Sequence, residues 1–114
     1  MELYTYKAHV IKVYDGDTIT ADIQLGFGVI LHKQKIRLKS VNAPEVRGPE
    51  KEKGIISRDW LRDQILNKDI ILRTFKDKKG KYGRWIGLIF LASNPNSCIN
   101  AKLIIEGYAK EAKY

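Results

Sequence analysis

Asp15-Gly16-Asp17-Thr18, Ile36-Arg37-Leu38 running into Val41-Asn42-Ala43-Pro44-Glu45, and Lys81-Tyr82-Gly83-Arg84 are short segments set far apart along 114 residues. Together they carry the residue types that phosphodiester cleavage requires. The first two offer hard oxygen donors of the kind a divalent cation takes. Glu45 is an acid able to handle a water. Arg37 and Arg84 are guanidinium forks. Phosphate recognition favours guanidinium over ammonium because the planar fork meets two oxygens at once.

Each segment also has a plainer reading. Asp15-Gly16 is a hairpin turn signal, and turn geometry alone accounts for Asp15. Asp17 is harder to place that way. It shares strand parity with Ile19, Ala21 and Ile23, which directs its carboxylate to the apolar side. A buried acid needs a partner or a metal. Pro44 stiffens a loop leaving a strand, with Glu45 either solvated or held as a general base. Most arginines are surface charges. Arg37 stands out because its strand leads into the Asn42 loop, and Arg84 because it closes its segment at the start of the last strand. His9 and His32 fall outside these segments and read as ordinary strand residues.

The elements that must position these residues are legible from periodicity. Tyr6 to Tyr14 reads as a strand, rich in Tyr, Val and Ile. Ile19, Ala21, Ile23 and Leu25 alternate with Thr18, Thr20, Asp22 and Gln24, a period of two with one apolar face. Gly26-Phe27-Gly28 turns the chain into a third strand, Val29 to Ser40. Three strands joined by short turns make a meander. Pro44 and Gly48-Pro49 break the pattern. A helix follows from about Glu50 to Leu66, with Ile56, Trp60, Leu61 and Ile65 on its apolar face. Asp69 to Phe75 is a fourth strand and Lys76 to Lys81 a charged turn. Trp85 to Leu91, nearly all apolar, suits a strand covered on both faces. Ser93 to Asn96 reads as a loop. A helix from about Ser97 to Glu106 ends at Gly107 in a C-cap role. The expected class is α+β, mainly β: a five-stranded OB barrel with a helix after strand three and one or two C-terminal helices.

Composition narrows the partners. Apolar residues make up 44% of the chain, which predicts a folded globule. A length of 114 residues suits one domain spanning 1–114. There are 21 Lys and Arg against 13 Asp and Glu, a net charge of +8, which points to a polyanion such as nucleic acid. Cys98 is the single cysteine, so it forms no internal disulfide and reads as a small hydrophobe. No stretch approaches the ~20 apolar residues of a membrane span, and the first residues do not form a signal peptide. The expectation is a monomer with no membrane association. It is either cytoplasmic or the mature part of a secreted protein.

In this order, the segments resemble the staphylococcal nuclease (thermonuclease) family. They match its Asp-Gly-Asp-Thr turn, its third-strand Arg, its Pro-Glu loop and its Lys-Tyr-Gly-Arg segment. The likeness runs from about Val10 to Ala109. It implies an OB barrel and a Ca²⁺-dependent nuclease that hydrolyses DNA or RNA to 3′-phosphate products. Carried over residue by residue, Asp17 would ligate Ca²⁺ together with Asn42 and the backbone carbonyl of Ala43, with Asp15 close behind. Glu45 would act on the water. Arg37 and Arg84 would hold the scissile phosphate and stabilise the charged transition state. Lys81 and Tyr82 would contact a neighbouring phosphate, and Tyr114 would be the counterpart of the family's base-stacking tyrosines.

The chain departs from the pattern in several places. Asn42 replaces the family's second metal-ligating acid. Ala43 stands where the best-known member has Thr, which costs little because the ligand there is a carbonyl. Many members continue beyond the position of Tyr114 into a longer C-terminal helix. The loop between Glu45 and the helix is short. Two other readings fit the same fold. One is a non-catalytic OB module that binds nucleic acid through basic grooves and aromatic platforms. The other is a protein-interaction domain, typical of relatives that have lost the acids and arginines this chain keeps.

Overall fold

Period-two patterning gives strands where the sequence predicts them. The computed structural model of the chain describes residues 4–75 and 85–112. Strands β1 (Thr5–Asp15), β2 (Thr18–Gly26) and β3 (Val29–Leu38) form the antiparallel meander. A two-residue strand β4 (Val41–Asn42), a single 3-10 turn (Gly48–Glu50) and helix α1 (Lys51–Ile65) follow. Then come β5 (Asp69–Phe75), β6 (Trp85–Leu91), β7 (Asn94–Cys98), helix α2 (Ile99–Ile105) and β8 (Lys110–Glu111).

The sheet closes on itself. β1 pairs with β2 and β5, β2 with β3, β5 with β6, and β3 meets β6 in parallel register at Ile36–Trp85 to Leu38–Gly87. This is a five-stranded mixed barrel, with α1 after the third strand and α2 after the last barrel strand: the OB topology. Its interior is filled by inward-facing Val10, Ile19, Ile36, Leu38, Ile70, Leu72 and Ile89, all fully buried. Leu61 and Ile65 of α1 and Ile99 and Leu103 of α2 complete that core. Each such side chain contributes roughly 1.5–3 kcal/mol on leaving water.

Several local expectations need correction. Ser93 to Asn96 is not a plain loop, because Asn94 begins β7, which pairs with β6 at Leu91–Asn94 and Phe90–Cys98 around a bulge. Pro95 is tolerated there as it is on edge strands, where no ladder donor is needed. The second helix consequently starts at Ile99 rather than Ser97. Gly107 does follow it in the left-handed conformation, at φ 82°. The third strand ends at Leu38, and Ser40 turns the chain at φ 61°. Ile56 is 58% exposed; the buried stripe of α1 is Gly54, Ser57, Leu61 and Ile65. β6 is not equally covered on both faces, since Gly87 and Ile89 on one face are buried while Ile86, Leu88 and Phe90 on the other are half-buried. Cys98 is a half-buried free thiol.

Buried polar groups lock the joints. Asn100 is 3% exposed. Its amide Nδ2 donates to the carbonyls of Lys39 and Gly87, and its Oδ1 accepts from the Ile89 N–H, all at 3.0 Å. One side chain thus ties α2 and β6 to the turn that leads into β4. Among the described residues, no helix is long and apolar enough to cross a membrane.

Candidate active site

Turn chemistry and close packing assemble the site. β1 and β2 are joined at Asp15-Gly16-Asp17-Thr18, with Asp15 and Thr18 paired across the turn. Gly16 is buried, and a Cβ there would overlap Ser57 of α1 and Ala43 of the next loop. Only glycine lets the turn sit this deep. The same device acts on the Glu45 loop. A Cβ at Gly54 would overlap the Glu45 carbonyl, so α1 presses directly on the backbone that carries the acid. Ser57, on the same helix face, donates its hydroxyl to the Tyr108 carbonyl at 2.8 Å. The Tyr108 ring stacks on Trp60, with centroids 5.0 Å apart.

Asp17 is 3% exposed, as its strand parity predicts. Its Oδ1 accepts the Thr18 hydroxyl at 3.0 Å and lies 3.3 Å from Arg37 Nη1. Its Oδ2 accepts the Ala43 N–H at 3.0 Å. Arg37 Nη2 also donates to the Val41 carbonyl at 3.3 Å. The first two segments therefore converge on one buried carboxylate. The Asp15 Oδ1 accepts the Asp17 N–H at 3.0 Å. Burial above all, then the hydrogen bond and negative charge of Asp17, pushes the Asp15 carboxyl up to about 7. Two neighbouring carboxyls compete for one negative charge in this way whenever both are partly withdrawn from water.

Asn42 and Glu45 are exposed along the same loop, whereas Ala43 is buried. The exposed face of Asn42 and the buried face of Ala43 alternate as residues of a strand do. Arg84, Lys81, Tyr82 and Tyr114 lie outside the described residues. Ser57, Gly54 and Asn100 lie outside the motifs, and Thr18 belongs to the first motif without a role assigned to it there. Gly54 and Ser57 carry one available signal: they extend the Leu61–Ile65 stripe toward the helix N-terminus at three- and four-residue spacing.

The donor set can be tested against a hard cation. The candidate donors named by the sequence are all oxygens: the Asp17 carboxylate, the carbonyl of Ala43, whose N–H bonds that carboxylate, and the Asn42 amide oxygen. A carboxylate has about four lone-pair sites. Thr18, Arg37 and Ala43 engage three of those on Asp17, which leaves room for a further ligand bond. By chemical type this suits Ca²⁺. It is poor in charge, because no three His, Cys, Asp or Glu side chains cluster among the described residues.

The chain matches the family model for staphylococcal nuclease homologues over residues 35–114. It is 31% identical over 113 residues to the thermonuclease of Staphylococcus hyicus, an alignment covering 96% of this chain and 60% of that protein. An uncharacterized protein of Methanocaldococcus jannaschii is 30% identical over 128 residues, covering 92% of this chain and 58% of that relative. The chain belongs to the staphylococcal nuclease family. It spans about 60% of the length of the curated relatives it matches.

Proposed function

We propose that this domain is a Ca²⁺-dependent phosphodiester hydrolase acting on DNA or RNA and leaving 3′-phosphate ends. The observation that carries the reading is the Asp17 carboxylate. It is 3% exposed and flanked by Arg37, and it is bonded to the loop that delivers Glu45 two residues later. Asp17, Asn42 and the Ala43 carbonyl would hold the cation. A bound Ca²⁺ supplies Lewis-acid polarisation of a phosphoryl oxygen. Glu45 takes the proton of the attacking water or orients it, on a loop that Gly54 lets the helix brace. Arg37, and Arg84 with it, stabilise the charge that develops on the phosphate. Lys81 and Tyr82 contact an adjacent phosphate, and Tyr114 stacks on a base. The +8 charge of the chain draws the polyanion in.

A second reading is favoured by one contact. Arg37 faces Asp17 and Val41, so it also fits a brace inside a non-catalytic nucleic-acid-binding OB module. One assay separates the two: digestion of plasmid and single-stranded substrates with Ca²⁺, Mg²⁺ or chelator in parallel. The nuclease reading expects cleavage with Ca²⁺ and none with chelator. Binding without cleavage under any metal would favour the module.

A further inference from the structure

Three depressions join into one groove along the face that carries Glu45. The first is lined by Tyr14, Asp15, Glu45 and Arg47, among others. The second shares Glu45 and Arg47 with it and reaches Asn42 and Glu50. The third, of about 420 Å³, shares Asn42 and Glu50 with the second and ends at Lys53, Tyr108 and Lys110. Its volume lies within the roughly 300–1,000 Å³ typical of small-molecule sites, which is room for a nucleotide unit rather than a duplex. Acids dominate the Asp15–Glu45 end. At the other end two lysines outnumber Glu50.

The backbone at both lysines is anchored. Lys53 immediately precedes Gly54, where the helix presses on the Glu45 backbone. Lys110 pairs with Asn42 in the β4–β8 ladder, and the Ala112 N–H donates to the Ser40 carbonyl at 3.0 Å just beyond it. Residues paired across an antiparallel ladder point to the same face, with Cβ atoms roughly 4.5–5.5 Å apart. Lys110 therefore stands beside the Asn42 amide. An acid at position 42 would face that ammonium and neutralise it. The neutral amide leaves the charge for a phosphate.

We propose that Lys53 and Lys110 bind a backbone phosphate of single-stranded nucleic acid beyond the scissile position, the strand lying in the groove past Glu45. This rests on the nuclease reading for the position of the scissile bond. The ligand is a flexible single strand because the third depression, at about 420 Å³, has room for a single nucleotide unit. The site rewards chain length: a substrate too short to reach Lys53 and Lys110 gains nothing from them.

The test compares fluorescently labelled oligodeoxythymidylates of about two and about eight nucleotides, lengths that fall short of and reach across the site sizes usual for an OB groove. Their binding is measured in chelator by anisotropy at several salt concentrations, and their cleavage in Ca²⁺. The native chain should prefer the longer strand in both. Lys53→Gln/Lys110→Gln should collapse that preference toward one, mainly through KM. It should also lower the slope of log K against log salt by about 0.7, the value for one single-strand phosphate contact. Lys53→Arg/Lys110→Arg should restore the preference. Lys7→Gln/Lys35→Gln, which removes two charges elsewhere, should keep it. A preference retained in Lys53→Gln/Lys110→Gln, or lost equally in Lys7→Gln/Lys35→Gln, overturns the proposal. If the native chain cleaves nothing, the nuclease reading fails alone, and the binding arm still decides for or against the two lysines.

Discussion

Arg37 Nη1 lies 3.3 Å from Asp17 Oδ1, with both side chains largely withdrawn from solvent. Two residues that the sequence assigns to different tasks, phosphate and cation, are direct partners. The pair neutralises a buried carboxylate. A phosphate entering the site would draw the guanidinium toward itself, so charge is exchanged rather than created there.

Arg37→Ala should therefore have two effects. Removing one member of a buried pair commonly costs about 3–5 kcal/mol. The expected loss lies toward the low end, since Arg37 is not sealed off entirely. Urea denaturation measures it, and Asp17→Asn in the same chain should recover part of it. Turnover should fall by at least ~10², the usual cost of a lost preorganised donor. A loss of stability with unchanged turnover per folded molecule would make Arg37 a brace only.

Glu45→Gln keeps size and hydrogen bonding but cannot take up a proton as a carboxylate does. The expected rate loss is roughly 10²–10⁴, the range of general acid–base help. Oligonucleotide binding in chelator should change little. Single-turnover kinetics at saturating enzyme would isolate the chemical step, and an unaltered rate there removes Glu45 from the mechanism.

Asn42→Asp tests the family's missing acid. Ca²⁺ affinity rises with the number of charged ligands, and a site holding one carboxylate sits at the loose end, ~10⁻⁴–10⁻³ M. Calorimetry should show tighter Ca²⁺ binding in Asn42→Asp, and cleavage should reach half-maximum at lower Ca²⁺. Equal or weaker affinity would mean that Asn42 does not face the cation. The new carboxylate would also face Lys110, whose ammonium competes with the cation for it. Adding Lys110→Gln to Asn42→Asp should therefore tighten Ca²⁺ binding further, which separates the two roles of position 42.

Asn100→Ala should destabilise the fold by about 2–4 kcal/mol. It leaves the Ile89 N–H and the Lys39 carbonyl without this partner, while the Gly87 carbonyl keeps the Lys39 N–H at 2.8 Å, and an unsatisfied buried polar group costs roughly 1–3 kcal/mol. Chemical denaturation gives the value. A change below ~0.5 kcal/mol, the level of ordinary surface substitutions, would show that the clamp is dispensable.

Much of this was legible beforehand because its signals are local. The alternation of Ile19, Ala21 and Ile23 marks both β2 and the inward aim of Asp17. Asp69 to Phe75 and Trp85 to Leu91 appear as strands within the limits expected. What stayed hidden depends on contacts between distant segments. Gly54 and Ser57 look like weak helix residues until Glu45 and Tyr108 are brought against them. Asn100 looks like a surface amide until three backbone groups close around it. Pro95 argues against a strand except at an edge, and no local pattern says where the edge is. The Asp17–Arg37 pairing joins a turn residue just before β2 to β3, Thr18 being opposite Arg37, so it follows from register rather than from either motif.

The contact at Gly54 bears on how far this arrangement can be transplanted. The acid loop and the helix meet where no side chain fits, so Pro44-Glu45 and Gly54 form a single structural unit. A sequence that keeps the Pro-Glu pair but places a bulkier residue opposite it must route the loop differently, whatever its other motifs suggest. Anyone grafting the acid loop onto another barrel has to graft the bare spot on the helix with it.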